Sequence, residues 1–512
     1  MKRDILDARL FDSRIRQDEV GGKERFLGYF LGPVSVVFLN SVLNNYLNVY
    51  YTDVIQLGSV WNGWFLTAFP IGVKVLDALT FLLMGMIVDR FYSRQGVARP
   101  WILFSAPLLA VSFALLFVFP SGNTGLMLIW IFISYNLFYS VAYTAYNTCH
   151  TLLVPLSTRN QEQRGRLSVL ANTQGMLSGM LVAVMFPTFV IPAIGVSRES
   201  WILLMTILAA VMFPCVLLEY YYTRERVTEE SRGAGTVGKE SRGAGTARKE
   251  SRSAGAVREE SRSAGAVWER KSVAGTSAPD RITMKGQLGL CLKSRSWTVL
   301  MVYLVLNHLA GLLSSFSTFY YCNWVLGSYN DGRTQALFYA VGNAPLGLGL
   351  FLCRPVCRKL GRRNAMVFGF LLAAAGTALC LINPRNLPVV LAGQALKSTG
   401  LIPSTFMVSA MLGEALDDVE EKTGFRCDGF SSSVYNVVFT ITTGAAMCIL
   451  NLGLTQLGYI APAADRIPVQ NGAVQSFFIF CAVGLQTILF PLIAAVLLLD
   501  RSPRGGKPEN RA

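Results

Sequence analysis

Ile71-Gly-Val-Lys74-Val-Leu-Asp77-Ala-Leu-Thr80-Phe-Leu-Leu-Met-Gly85-Met-Ile-Val-Asp89-Arg90 is the stretch that decides how this chain reads. It is apolar almost throughout, yet it holds Lys74 and Asp77 near its centre and ends on a charged pair. About 20 mostly apolar residues suffice to cross a bilayer as a helix. Ionisable groups inside such a helix are costly and mark a functional path. Three residues apart, Lys74 and Asp77 share one helical face and can neutralise each other. Two apolar residues would pack more cheaply, so the pair reads as functional: Asp77 binds a coupling cation or a substrate hydroxyl, and Lys74 sets its charge state. A self-satisfied structural ion pair is the plainer alternative.

Runs of the same kind recur on both sides, among them 101–120, 125–143, 201–218, 365–381, 387–412 and 477–499. The chain is 52% hydrophobic and only 15% charged, with a mean hydropathy of +0.42. Soluble domains carry roughly 25% charged residues. The pattern predicts spans near 27–51, 60–88, 101–119, 124–153, 168–194 and 201–221. It predicts six more near 297–325, 335–353, 365–383, 387–412, 430–456 and 474–499. The charged first 25 residues precede a span long enough to stay in the membrane, so no cleaved signal peptide is expected.

The net charge of +15 does not mark a nucleic-acid binder, because the basic residues alternate between loops as the positive-inside rule requires. One set of loops carries Arg90, Arg94 and Arg99, then Arg159, Arg164 and Arg166, then Arg354, Arg358, Lys359, Arg362 and Arg363. The intervening loops carry single basic residues at most. Both termini are therefore expected in the cytoplasm. The ten cysteines show no disulfide or metal spacing. Between the halves, a ten-residue unit beginning Glu230-Ser-Arg-Gly-Ala-Gly recurs from Glu240, Glu250 and Glu260; units this short and polar cannot bury a core and read as a disordered linker. The expected domains are a 1–26 cytoplasmic segment, a 27–222 six-helix bundle, the 223–293 linker, a 294–500 six-helix bundle and a 501–512 tail.

Polar side chains fall at helical spacing inside the spans. Asn40, Asn44 and Asn48 share a face of the first; Asn136, Ser140, Tyr143, Asn147 and Thr151 form a stripe on the fourth. In a bilayer such stripes face other helices or a wet cavity. Interhelical hydrogen bonding is the plain reading for any single Asn, while two aligned stripes favour a cavity. Both histidines, His150 and His308, lie within spans, where His can carry protons or sit neutral and bonded. Lys397, inside the tenth span, needs an acceptor, for which Asp77 is a candidate. Asn307 and its polar and aromatic neighbours on the seventh span suit a sugar, although aromatics also belt the interface. A loop after the second span, Gly85 through Asp89 and Arg90, echoes Gly361-Arg362-Arg363 after the eighth. Gly85 would permit close helix approach, with Asp89 and Arg90 bridging charges.

Three segments, Tyr50-Tyr51-Thr52-Asp53-Val54, Asp77 through Arg90 and on to Ala98-Arg99-Pro100-Trp101, and Tyr143-Thr-Ala-Tyr-Asn147 through Val154-Pro155, are joined by Asp417-Asp418 through Asp428-Gly429. Together they resemble the glycoside–pentoside–hexuronide:cation symporter family of the major facilitator superfamily. The resemblance implies a substrate cavity between two helical halves. It also implies a cation site formed by two acidic residues one turn apart on the second helix. Asp77 matches the first, and Phe81 stands at the second. Asn147 matches an acidic or amide position on the fourth helix, with Cys149-His150 replacing a Pro-aromatic pair. Thr440 stands at a position often basic on the eleventh helix, and the family's arginine early in the fifth has no counterpart near Ala171-Asn172. Asp77, Thr80 and Asn147 alone make a sparse Na⁺ cage, since hard cations favour several oxygens. Coupling to a proton through Asp77 or His150, coupling to sodium, and uncoupled facilitation stay open.

The expectation is an all-α major facilitator fold with twelve transmembrane helices in two halves, in the plasma (inner) membrane. The expected function is alternating-access uptake of a sugar or glycoside, with cation coupling at Asp77, Lys74, Thr80 and Asn147. Substrate contacts are expected from Asn44, Tyr143, Asn147, His150, Asn307, His308 and Lys397. Alternatives are a carrier of another solute such as a lysophospholipid, an uncoupled facilitator, or a membrane sensor without transport. No intramembrane catalytic motif is present, so an enzyme is not expected. Neither is a cofactor, a metal or nucleic acid; the partners expected are a small molecule and the bilayer, with the protein a monomer.

Overall fold

The computed structural model describes residues 11–90, 93, 95–120, 122–158, 160–226, 284–329, 331–423, 428–462 and 467–499. The ten-residue repeats and most of the expected linker lie outside the described residues, as do the first ten residues and the tail. The helices are α1 (Glu24–Val54), α2 (Trp64–Arg90), α3 (Arg99–Leu115), α4 (124–157), α5 (161–194) and α6 (Arg198–Tyr221). A short helix, Met284–Lys293, then leads into α7 (Arg295–Leu326), followed by α8 (Arg333–Leu360), α9 (Arg362–Ile382), α10 (Leu387–Thr423), α11 (Asp428–Gln456) and α12 (Gly472–Leu499). No strand occurs among the described residues.

Local chemistry sets the starts. Asn123, Ser197, Ser294 and Asn471 each accept an N–H of the first turn of α4, α6, α7 and α12, satisfying donors that have no intrahelical partner. Length and apolar composition suit nine of the described helical segments to crossing a membrane, and α3 is a shorter apolar helix. Gln394 and Lys397 dilute the apolar run of α10. Leu203, Ile207 and Val211 recur every fourth residue of α6 at 64, 52 and 54% exposure. An apolar stripe of this kind would aggregate in water and belongs against lipid tails.

The halves meet symmetrically. In the first half α3 packs on α6 and α1 on α5 and α6; in the second α9 packs on α10 and α12, and α8 on α10. Across the divide α2 packs along α11 and α5 along α8, with α1 touching α7. Advancing α2 and α11 by one half turns the first of these contacts into the second, the arrangement of two repeats about a central axis.

Hydrogen bonds between the halves run from the middle of the molecule to the end opposite the amino-terminal segment. Tyr329 and Tyr459 donate to Asp53 at 3.2 and 3.0 Å, Asn48 donates to the Tyr320 hydroxyl at 3.3 Å, and Thr52 bonds the same hydroxyl at 2.8 Å. Two glycines in the left-handed region close the same end. A side chain at Gly332 (φ +63°) would strike the Pro187 carbonyl, and one at Gly63 (φ +78°) would strike Thr455. Only a residue without Cβ fits both the backbone and the gap.

Candidate functional site

Below that seal lies a cavity of about 490 Å³, walled by α1, α2 and α4 on one side and α7 and α11 on the other. Its chemistry centres on α2. Lys74 Nζ lies 2.8 Å from Asp77 Oδ2, as one helical face at i, i+3 dictates. Ser140 of α4 donates to Asp77 Oδ1 at 2.6 Å. The Lys74 ammonium also sits over the Tyr139 ring, 4.3 Å from its centroid, where the negative face of the ring attracts a cation. Asp77 is 3% exposed and Lys74 13%.

A π-helical turn at Leu137–Tyr143 brings Tyr139, Ser140 and Tyr143 to this point. Such wide turns inside α-helices occur often at functional sites. From α1, Asn40 and Asn44 line the cavity; from α4, Asn147 does, and from α11, Asn436. Among the described residues none of these four amides has a hydrogen-bond partner in the protein. Each offers a donor pair and an acceptor to whatever fills the space. Phe81, Phe316, Tyr435 and Phe439 supply apolar and aromatic wall.

The sequence-predicted residues divide into two groups. Asn44, Lys74, Asp77, Tyr143 and Asn147 line one cavity, and so do Phe81 and Thr440. Thr80 lies outside its wall: the hydroxyl donates to the Asp77 backbone carbonyl at 3.0 Å, a helical bond that leaves the carboxylate alone. His150 is turned away, its Nδ1 2.6 Å from Glu219 Oε1. Lys397 does not reach Asp77, which Lys74 has taken; it points at Gln486 Oε1, 3.5 Å away. His308 meets the edges of Tyr435 and Phe439, both in the cavity wall, without lining it, and Asn307 does not line it either. Nothing described lies within 4 Å of where a Gly85 Cβ would sit, so no described neighbour packs closely there, contrary to the expectation of a close helix approach. The side chains of Asp89 and Arg90 lie outside the described residues.

The fourth-span stripe divides too. Asn136 donates to the Phe132 carbonyl at 2.7 Å and accepts from Ser140 at 3.1 Å, while Thr151 is exposed. Several residues escaped the sequence reading. The α11 residues Tyr435, Asn436, Phe439 and Thr443, which share a face with Thr440, repeat at helical spacing and were findable. Glu219, wholly buried, stands directly after an apolar run. Asp53 was visible in a motif, but its tyrosine partners come from distant loops. Burial and the Asp53 charge push the Tyr329 and Tyr459 hydroxyls far above the ordinary tyrosine range, so both remain donors. Among the described residues no group of three or more His, Cys, Asp or Glu could hold a metal.

The model of the family described as MFS/sugar transport protein matches residues 28–255 and 265–500. An isoprimeverose transporter of Lactiplantibacillus pentosus is 23% identical, over 95% of this chain and 90% of its own. A glucuronide carrier protein homolog of Escherichia coli (strain K12) is also 23% identical, over 93% and 92%. Among solved structures, a D-xylose-proton symporter superposes with a TM-score of 0.57 at 12% identity, covering 93% of this chain and 97% of that one. At that identity the likeness shows the fold: two helical halves around a central cavity.

Proposed function

Because the chain belongs to the MFS/sugar transport protein family, we propose that it takes up a sugar or glycoside across the plasma membrane by alternating access, coupled to a cation. The observation that carries this reading is the 490 Å³ cavity between the halves, with four unpartnered amides around a neutralised Lys74–Asp77 pair. Ligand pockets run from about 300 to 1,000 Å³, so a mono- or disaccharide fits. Amides bond sugar hydroxyls, and Tyr143, Tyr435 and Phe439 offer rings for the sugar's C–H faces. The relatives named for isoprimeverose and glucuronide transport support the substrate class.

The end bearing the amino-terminal segment faces the cytoplasm on the positive-inside argument, so the Asp53 seal is the outer gate. Asp77 is the switch. A substrate hydroxyl that competes with Lys74 for its carboxylate changes which conformation is favoured, and a ligand shifts an equilibrium only through such differential contacts. Asn44, Tyr143 and Asn147 hold the substrate.

The test is uptake into cells against a panel of glycosides, with and without Na⁺. The wild type accumulates at least one; Asp77→Asn reaches the membrane in equal amount yet accumulates none. Full accumulation by Asp77→Asn removes the switch role, and no transport of any glycoside by the wild type removes the reading.

A further inference from the structure

Glu219 near the end of α6 is wholly buried and unused by the cavity. Both of its carboxylate oxygens are engaged from α4: Tyr146 donates to Oε2 at 2.5 Å, and His150 Nδ1 sits 2.6 Å from Oε1. The His150 ring lies parallel on Tyr146, planes 9° apart, which fixes its orientation. α6 reaches this position because α1 presents Gly32, where a Cβ would fall 2.6 Å from that of Glu219.

Other charges nearby are already committed. Glu24 of α1 pairs with Arg226 at 2.7 Å. Glu225 accepts the backbone N–H groups of Val97, Ala98 and Arg99. From α3, Arg99 donates to the Tyr220 carbonyl at 3.1 Å. The remaining titratable neighbours, Tyr29 of α1, Cys149 of α4 and Cys215 of α6, are a phenol and two thiols, none of them a cation. His150 is therefore the group placed to balance the Glu219 carboxylate.

We propose that Glu219, His150 and Tyr146 form a proton-binding site, and that the proton held there is the coupling ion of transport. With the proton bound, His150 is an imidazolium beside the carboxylate, and the buried pair is neutral. Release takes the proton from Nε2 to water, while Nδ1–H stays on Glu219 Oε1 and a net negative charge is left in the protein. An uncompensated buried charge is strongly unfavourable, so the site holds its proton until the conformation around it changes. His150 gives the exit: its side chain is 17% exposed while that of Glu219 is not exposed at all. It also lies three residues from Asn147, a cavity residue, on the side toward the basic end. This deepens the proposed function and rests on it. Lys74 already fills the place beside Asp77 that an added cation would need, which leaves the coupling ion to be held elsewhere.

Two measurements separate this site from the carrier reading. The chain has two histidines, so ¹⁵N-histidine labelling of the full-length His308→Gln protein isolates the His150 signal without any substrate. An imidazolium signal is expected from His150 beside the Glu219 carboxylate and is expected to be lost in Glu219→Gln; a neutral ring from pH 5 to 9 overturns the site. In cells, with isoprimeverose and methyl β-D-glucuronide as probes, Glu219→Gln should lose proton-driven accumulation down to simple equilibration while retaining counterflow. His150→Gln, made in case Glu219→Gln fails to assemble, should do the same. Proton-driven accumulation that survives either substitution, or wild-type accumulation that follows Na⁺ and ignores pH, overturns the proposal. A wild type that carries neither probe but shows the imidazolium removes the coupling role and keeps the proton site.

Discussion

At the scale of single residues, the Lys74–Asp77 pair carries a cost that its neighbours offset. Asp77 receives Lys74 and Ser140, and Lys74 adds the Tyr139 ring. Removing one charge leaves the other buried and uncompensated, a loss of about 3–5 kcal/mol. Lys74→Met alone should therefore lower the unfolding temperature in detergent. Lys74→Met with Asp77→Asn should recover most of that stability without recovering accumulation. If the double variant transports as the wild type does, the pair is only a structural tie. The pair itself was legible from the spacing of two charges in an apolar run. Ser140 and Tyr139 were not identifiable as its partners, because a π-helical turn rather than a regular α-helix aims them.

At the scale of elements, α9 and α10 show how a membrane protein packs where burial of apolar surface gives little drive. A Cβ at Gly400 would fall 2.4 Å from the Gly369 carbonyl oxygen, and one at Gly393 would fall 2.5 Å from that of Gly376. The obstacles are backbone atoms and cannot rotate away. Gly400→Val should cost roughly 1–3 kcal/mol or more and reduce the amount of folded protein. Gly72→Ala on α2, where nothing lies within 4 Å, should be neutral or gain up to about 1 kcal/mol from helix propensity. Equal yields from the two variants would show that these helices are not held by close approach. The spans were readable from hydropathy because lipid demands it. Which glycines lie at crossings was not, since Gly85 and Gly400 look alike in sequence and differ only in what stands opposite.

At the scale of the whole molecule, the seal opposite the amino-terminal end gathers Asp53 from α1 with hydroxyls from either side of the second half. Asp53→Asn replaces a charged acceptor by a neutral one, and charge-assisted hydrogen bonds are about twice as strong as neutral ones. The variant should spend more time open at that end. A cysteine placed at Asn44 in a cysteine-free background should then react faster with a membrane-impermeant thiol reagent applied outside; an unchanged rate would mean the seal does not rest on Asp53. By itself the sequence determined the bilayer environment, the helical spans, the two-part division and the polar positions that could not face lipid. Those follow from local rules: a length of apolar chain, a spacing of three or four, a charge that hydrocarbon will not hold. Only the tertiary structure decided that Lys397 turns to Gln486 and not to Asp77, that His150 answers to Glu219, and that Asp53 joins the halves. Each of those choices is made between segments far apart in the chain, where the partner is fixed by how helices pack and not by any spacing along the sequence.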